Sequence, residues 1–170
     1  MSDDPLAGID VWTALQDGRG QLLRAIDGLD DASAVLAVHE DGDWSIADLL
    51  THVAAWDELC ADFFARVAGG ERSFETVAAP DDQWATWNAT RIAEARSASL
   101  EARTERLHQC HDMLLEAAVG IAESVFDEYV EAPWGVEDSV RAHLLTRAMH
   151  DGEHAYTIRE ARARSGPAFE

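Results

Sequence analysis

The sequence contains no lysine. All 13 basic residues are arginine, set against 33 aspartates and glutamates in 170 residues, and the formal charge is −20. Arginine without lysine suits a high-GC genome and carries no mechanistic message. A chain this acidic repels phosphate backbones and anionic lipid, so nucleic-acid and membrane-surface binding are not expected. Cysteine is scarce: Cys60 and Cys110 lie far apart and form no CxxC pair, which reads as two reduced thiols rather than a disulfide or redox centre. No apolar run approaches the ~18 residues a membrane span requires. Met1-Ser2-Asp3-Asp4-Pro5 lacks the basic-then-apolar layout of a signal peptide, so a cytoplasmic protein is expected. Glycine-rich phosphate loops and GxSxG elbows are missing too, which leaves nucleotide hydrolysis and serine-esterase chemistry without support.

What the sequence does have is helical periodicity. Its length fits one domain over residues 1–170, large enough to bury a core without staples. Ile9, Trp12, Leu15, Leu22, Ile26 and Leu29 form one apolar stripe, weakened in the middle by Gly18 and Gly20. A second helix opens at Trp44-Ser45-Ile46-Ala47-Asp48-Leu49, with Ser45 as cap, Asp48 as the capping-box acid and Trp44 stapled onto Leu49. Leu49, Val53, Trp56, Cys60, Phe63, Phe64 and Val67 continue it until Gly69-Gly70. A polar connection follows, closed by Pro80-Asp81-Asp82, and then a short helix carrying Trp84, Trp87 and Ile92. The third long helix runs from about Ser97 to Ala122, with Met113 or Leu114 and Ala117 or Ala118 on its apolar side. Val125 to Pro133 reads as a connection, and Trp134-Gly135-Val136-Glu137-Asp138 as the opening of a last helix reaching about Arg164. No segment alternates with period two, so no strand is expected. The fold class is all-α: a four-helix bundle whose long connection between helices two and three lets those two run parallel. Helices one and two, and three and four, then form antiparallel hairpins.

Seven histidines carry the functional lead: His39, His52, His108, His111, His143, His150 and His154. His150 and His154 are spaced i, i+4, so both imidazoles leave one face of the last helix and can reach one cation. If helices two and four face each other, His52 converges with them. Three protein ligands with positions left for water or substrate describe a catalytic rather than a structural metal site. Taken singly, His52 also reads as a core histidine, and the His-x3-His pair also arises by chance. His143 and Arg147 can share a face with the pair, and Arg147 reads either as a holder of substrate carboxylate or as the partner of one of the many acids. Asp57 and Glu58 are candidates for a general base or a ligand-supporting carboxylate. Trp84 and Trp87 read as ordinary packing or as walls of a pocket mouth. Tyr156 points away from His154, His39 sits in a polar loop, and His108 and His111 read as exposed or packed.

Trp44-Ser45-Ile46-Ala47-Asp48-Leu49-Leu50-Thr51-His52-Val53-Ala54-Ala55-Trp56 resembles the Trp-Ser-x-x-Asp-Leu-Leu-x-His-x-x-x-Trp helix start of the DinB-like superfamily of four-helix bundles. His150-Asp151-Gly152-Glu153-His154 through Ile158-Arg159 resembles its closing helix, so the likeness covers nearly the whole chain. Trp87-Asn88, Arg91, Arg96, Leu100 and the stretch from Leu107 to Leu115 look most like the ClbS/DfsB branch. The helix-two motif is also similar to that of the mycothiol-dependent maleylpyruvate isomerase branch.

The resemblance implies a divalent metal, zinc or nickel, on His52, His150 and His154, and often a homodimer. Its implications for reaction are broader: thiol S-transfer with mycothiol or another low-molecular-weight thiol, thiol-dependent isomerisation, or hydrolysis of a reactive electrophile in detoxification or self-resistance. The expected partner is a small-molecule substrate, with Trp56, His143 and Arg147 as candidate substrate-binding residues. The rival readings are a non-catalytic sequestration protein using the same bundle pocket, and a stress protein whose metal is only structural.

Overall fold

Each long helix begins where a side chain can satisfy its free amides. The computed structural model describes residues 9–39, 44–75 and 83–166. The first helix, α1 (Val11–Ile26), is capped by Asp10, whose carboxylate accepts from the amides of Trp12 and Thr13. A one-turn helix, α2 (Asp31–Ala34), follows. The capping box expected at Ser45 and Asp48 is present and starts α3 (Ile46–Ala68), which stops at Gly69-Gly70. Next comes α4 (Gln83–Glu94) with its tryptophans, and then α5 (Leu100–Val119), capped by Ser99. The last helix is α6 (Val140–Arg164), capped by Ser139. Met1–Pro5 and Pro80-Asp81-Asp82, used in reading the sequence, lie outside the described residues.

Two apolar clusters set the helix directions. Val11 and Leu15 of α1 meet Phe63, Phe64 and Val67 of α3, Leu114 and Ala118 of α5, and Val140 and Leu144 of α6. At the other end Leu22 and Ala25 meet Ile46, Leu49 and Leu50, with Leu107, Cys110, Ile158 and Ala161. The α1–α3 and α5–α6 pairs are therefore antiparallel. Arg103, early in α5, donates to the carbonyl of Ala47, early in α3, at 2.9 Å, so α3 and α5 run parallel as expected. Likewise Arg162 at the end of α6 donates to Ala25 at the end of α1, at 2.7 Å. The bundle packs most extensively along α1–α6 and α3–α5, while α3 meets α6 over a short stretch only. Of the alternatives on the apolar side of α5, Leu114 and Ala118 are buried in the core, and Met113 is exposed.

The segment before α6 departs from expectation. Tyr129–Glu131 (β1) and Glu137–Ser139 (β2) pair antiparallel, with Val130 opposite Asp138. Trp134 thus lies in the hairpin turn rather than opening the last helix, which starts at Val140. Gly135 adopts φ +77°, a left-handed conformation that side chains resist. Strands of three residues, with only Val130 buried in β1, are too short to display period two. Glu137 and Asp138 imitate first-turn helix acids, but the cap is Ser139.

Candidate metal centre

The short α3–α6 contact is where His52, His150 and His154 come together. His52 lies in the second turn of α3 and is buried. Its Nδ1 is 3.0 Å from Oδ1 of Asn88 on α4. The same Asn88 atom accepts from Nε1 of Trp56 at 3.2 Å. An indole nitrogen can only donate, so the shared atom is the amide oxygen, and His52 must carry its proton on Nδ1. Its Nε2 is left with a bare lone pair. That lone pair faces His150 Nε2 at 3.1 Å, and His150 Nε2 is 3.0 Å from His154 Nε2.

One ligand atom from each of the three histidines lies within 4.8 Å of the others. A tetrahedral ion with Zn–N bonds of ~2.0–2.1 Å requires nitrogen separations of about 3.3 Å. The cluster is therefore sized for one ion with little rearrangement, and the residues can hold a metal. His150 Nδ1 is buried without a hydrogen-bond partner among the described residues. The rings are neutral: burial, reinforced by Arg147, pushes His52 down to about 4, against a smaller opposing effect of the Asn88 hydrogen bond. Burial, then the neighbouring His52 and Arg147, lowers His154 to about 3, and burial with Arg147 carries His150 further down. Neutral imidazole is the metal-binding form, and it suits zinc, nickel, copper or iron rather than magnesium or calcium.

Tryptophans wall the site. The Trp44 ring sits 5.0 Å from His52, and Trp56 lies 6.2 Å from both His52 and His150. Trp84, Trp87 and Trp134 pack on Trp56 at 4.7, 5.4 and 6.2 Å, which is the packing reading of the first two. The half-buried indoles of Trp44 and Trp56 supply an apolar surround.

The other residues singled out in the sequence go elsewhere. His143 is buried between Phe63 and Trp134, with Nε2 on the carbonyl of Val130 at 3.0 Å, which ties the hairpin to α6. Arg147 is 4 % exposed and spent on two carboxylates: Nε on Asp57 at 2.8 Å and Nη2 on Asp151 at 2.7 Å. Of the two readings of Arg147, the ion pair is the one observed. The substrate-binding roles expected of His143 and Arg147 do not fit groups so enclosed, whereas Trp56 stands at the site. Asp57 is fully buried between arginines, and Glu58 is exposed and paired with Arg106. His39, His108 and Tyr156 are exposed. His111 is buried, its Nδ1 3.9 Å from Asp57. Cys60 and Cys110 are free and buried, and burial raises their thiols to about 12 and about 11, outside the reactive range.

Sequence reasoning missed two features. Asn88 gave no signal as the His52 anchor, because nothing in a short amphipathic helix reveals which polar residue faces a neighbour. The ion pairs of Arg19 did leave a trace: Arg19 falls between Leu15 and Leu22 on the stripe that faces the core.

Fold and site together define a helical bundle with an inward-facing three-histidine centre at a helix–helix seam. The sequence pattern of the DinB superfamily matches residues 14–158, and the chain belongs to that superfamily. No curated protein matches the sequence. A mycothiol-dependent maleylpyruvate isomerase has a TM-score of 0.72 at 17% identity, over 90% of this chain and 62% of that one. A histidine-to-alanine mutant of the mycothiol-dependent maleylpyruvate isomerase gives 0.73 at 15%, with the same coverage. An uncharacterised protein from Escherichia coli UTI89 gives 0.73 at 10%, covering 94% of both chains. At these identities the likeness is one of fold, and the chain spans 62% of the length of the isomerase structures.

Proposed function

We propose that the protein is a metal-dependent enzyme that binds zinc or nickel through His52, His150 and His154 and acts on a small reactive electrophile. The reaction is transfer of a low-molecular-weight thiol or hydrolysis. The observation that carries this reading is the convergence of three neutral imidazole nitrogens, one of them fixed as a bare acceptor by Asn88. A divalent ion held by three neutral ligands acidifies a thiol or water that joins it. The chain's own residues orient the ligands (Asn88), exclude water (Trp44, Trp56) and keep the imidazoles unprotonated. The thiol arm draws support from the name of the isomerase with the similar fold, whose activity depends on mycothiol.

Metal analysis of protein purified without a histidine tag, paired with a mycothiol–electrophile conjugation screen, tests the proposal. Metal occupancy should fall sharply in His154→Ala and stay intact in His108→Ala, with circular dichroism showing both variants helical. If the wild-type protein binds neither zinc nor nickel better than millimolar at neutral pH, the enzyme reading fails, and sequestration of a small molecule in the same bundle pocket takes its place.

A further inference from the structure

Flanking His150 on α6, four buried charges close a ring. Arg19 of α1 reaches Asp57 of α3 through Nη2 and Asp151 of α6 through Nε, the latter at 2.9 Å. Arg147 completes the circuit, with Nε on the other Asp57 oxygen at 2.8 Å and Nη2 on the other Asp151 oxygen at 2.7 Å. Each carboxylate spends one oxygen on each arginine, and none of the four residues is more than 5 % exposed. Two positive and two negative charges sum to zero. The ring adjoins the ligands in sequence as well as in space: Arg147 lies one turn before His150, Asp151 directly follows it, and Asp57 follows Trp56 on the His52 helix.

We propose that this ring sets the strength of metal binding at the triad through its zero net charge, with Arg19 and Asp151 acting as positioning residues of opposite electrostatic effect. The inference rests on the metal reading above. In so enclosed a place charges are weakly screened, so a ring left positive repels a divalent ion and a ring left negative attracts it. Arg19 is the corner suited to a test. It bonds none of the three histidines, and among the described residues its Nη1 has no hydrogen-bond partner, while its Nε meets Asp151 as an ion pair rather than a hydrogen bond. A brace that merely ties α1, α3 and α6 together would behave otherwise, since breaking either corner would loosen the histidines and weaken binding.

Zinc affinity of the full chain, measured by competition with a chromophoric chelator, separates the two. Arg19→Gln leaves the ring at −1 and should tighten zinc binding on the order of ten-fold, while Asp151→Asn leaves it at +1 and should weaken binding by a similar factor. The neutral double variant Arg19→Gln/Asp151→Asn and the charge-conserving Arg19→Lys should both stay within about threefold of wild type. Equal weakening by both single changes, or loss of the ion from the double variant, overturns the proposal in favour of a brace. Should a single variant fail to fold by circular dichroism, the double variant and Arg19→Lys still decide between charge and geometry. A wild-type protein that binds no zinc would instead refute the metal reading itself, an outcome distinct from either.

Discussion

At the scale of single residues the site depends on one amide. Asn88 Oδ1 accepts from His52 Nδ1 and Trp56 Nε1 at once, which turns the bare face of the imidazole toward His150. Partners that orient metal-binding histidines typically contribute 10–100-fold to affinity. Asn88→Leu keeps the branched outline and removes the acceptor, so zinc affinity should fall by about 10–100-fold while helicity is retained. Asn88→Asp, still an acceptor, should bind within about threefold of wild type or tighter, and both are measured by chelator competition. An unchanged affinity in Asn88→Leu would show that Asn88 does not set the tautomer. The pairing of His150 and His154 was legible in the sequence, because the helix period alone puts i and i+4 on one face. Arg147 shares that region of α6, but periodicity is blind to what waits across the interface. Only the fold shows that Asp57 and Asp151 consume it.

At the scale of elements, the helices were legible wherever a cap and a stripe agreed, as at Ser45-Asp48 and Gly69-Gly70. Where a segment is short and its pairing non-local, as in the hairpin ending at Ser139, the sequence offers no period to read. The gap in the first stripe has a structural meaning too. A Cβ at Gly18 would sit 2.3 Å from the Ala148 carbonyl oxygen, so α1 and α6 approach backbone to backbone there. Gly18→Ala should therefore destabilise the protein by about 1–3 kcal/mol in urea unfolding, despite alanine's better helix propensity. At Gly20 the nearest atom to an added Cβ is the mobile end of Arg24, 3.2 Å away. Gly20→Ala should be neutral or stabilise by up to about 1 kcal/mol. If Gly18→Ala proves as mild as Gly20→Ala, the close packing of α1 on α6 is wrong.

At the scale of the whole molecule, acidity and burial act in separate pH ranges. The net charge of −20 comes from carboxylates that stay ionised well below neutrality, so their mutual repulsion is relieved only near their own titration range. Two buried histidines outside the candidate metal centre act earlier. Burial, helped by Arg19 and opposed by Asp57, lowers His111 to about 4, and burial also lowers His143, against its bond to Val130. In the unfolded chain both return to about 6.5. Between about pH 6.5 and 4 the unfolded chain binds protons that the folded protein refuses, so stability must fall as pH falls through that window. Above about 6.5 neither state is protonated at these sites and the contribution is fully present. Without metal the triad adds to this, because His52, His150 and His154 are lowered as well, so chelator-treated protein should lose more than about 3 kcal/mol between pH 7.5 and 5, read from urea midpoints with the slope unchanged. His111→Gln, which has no proton to take up, should show a shallower loss over the same interval. A midpoint that holds steady or rises from pH 7.5 to 5 would mean that relief of acidic repulsion outweighs the buried imidazoles even before the carboxylates titrate.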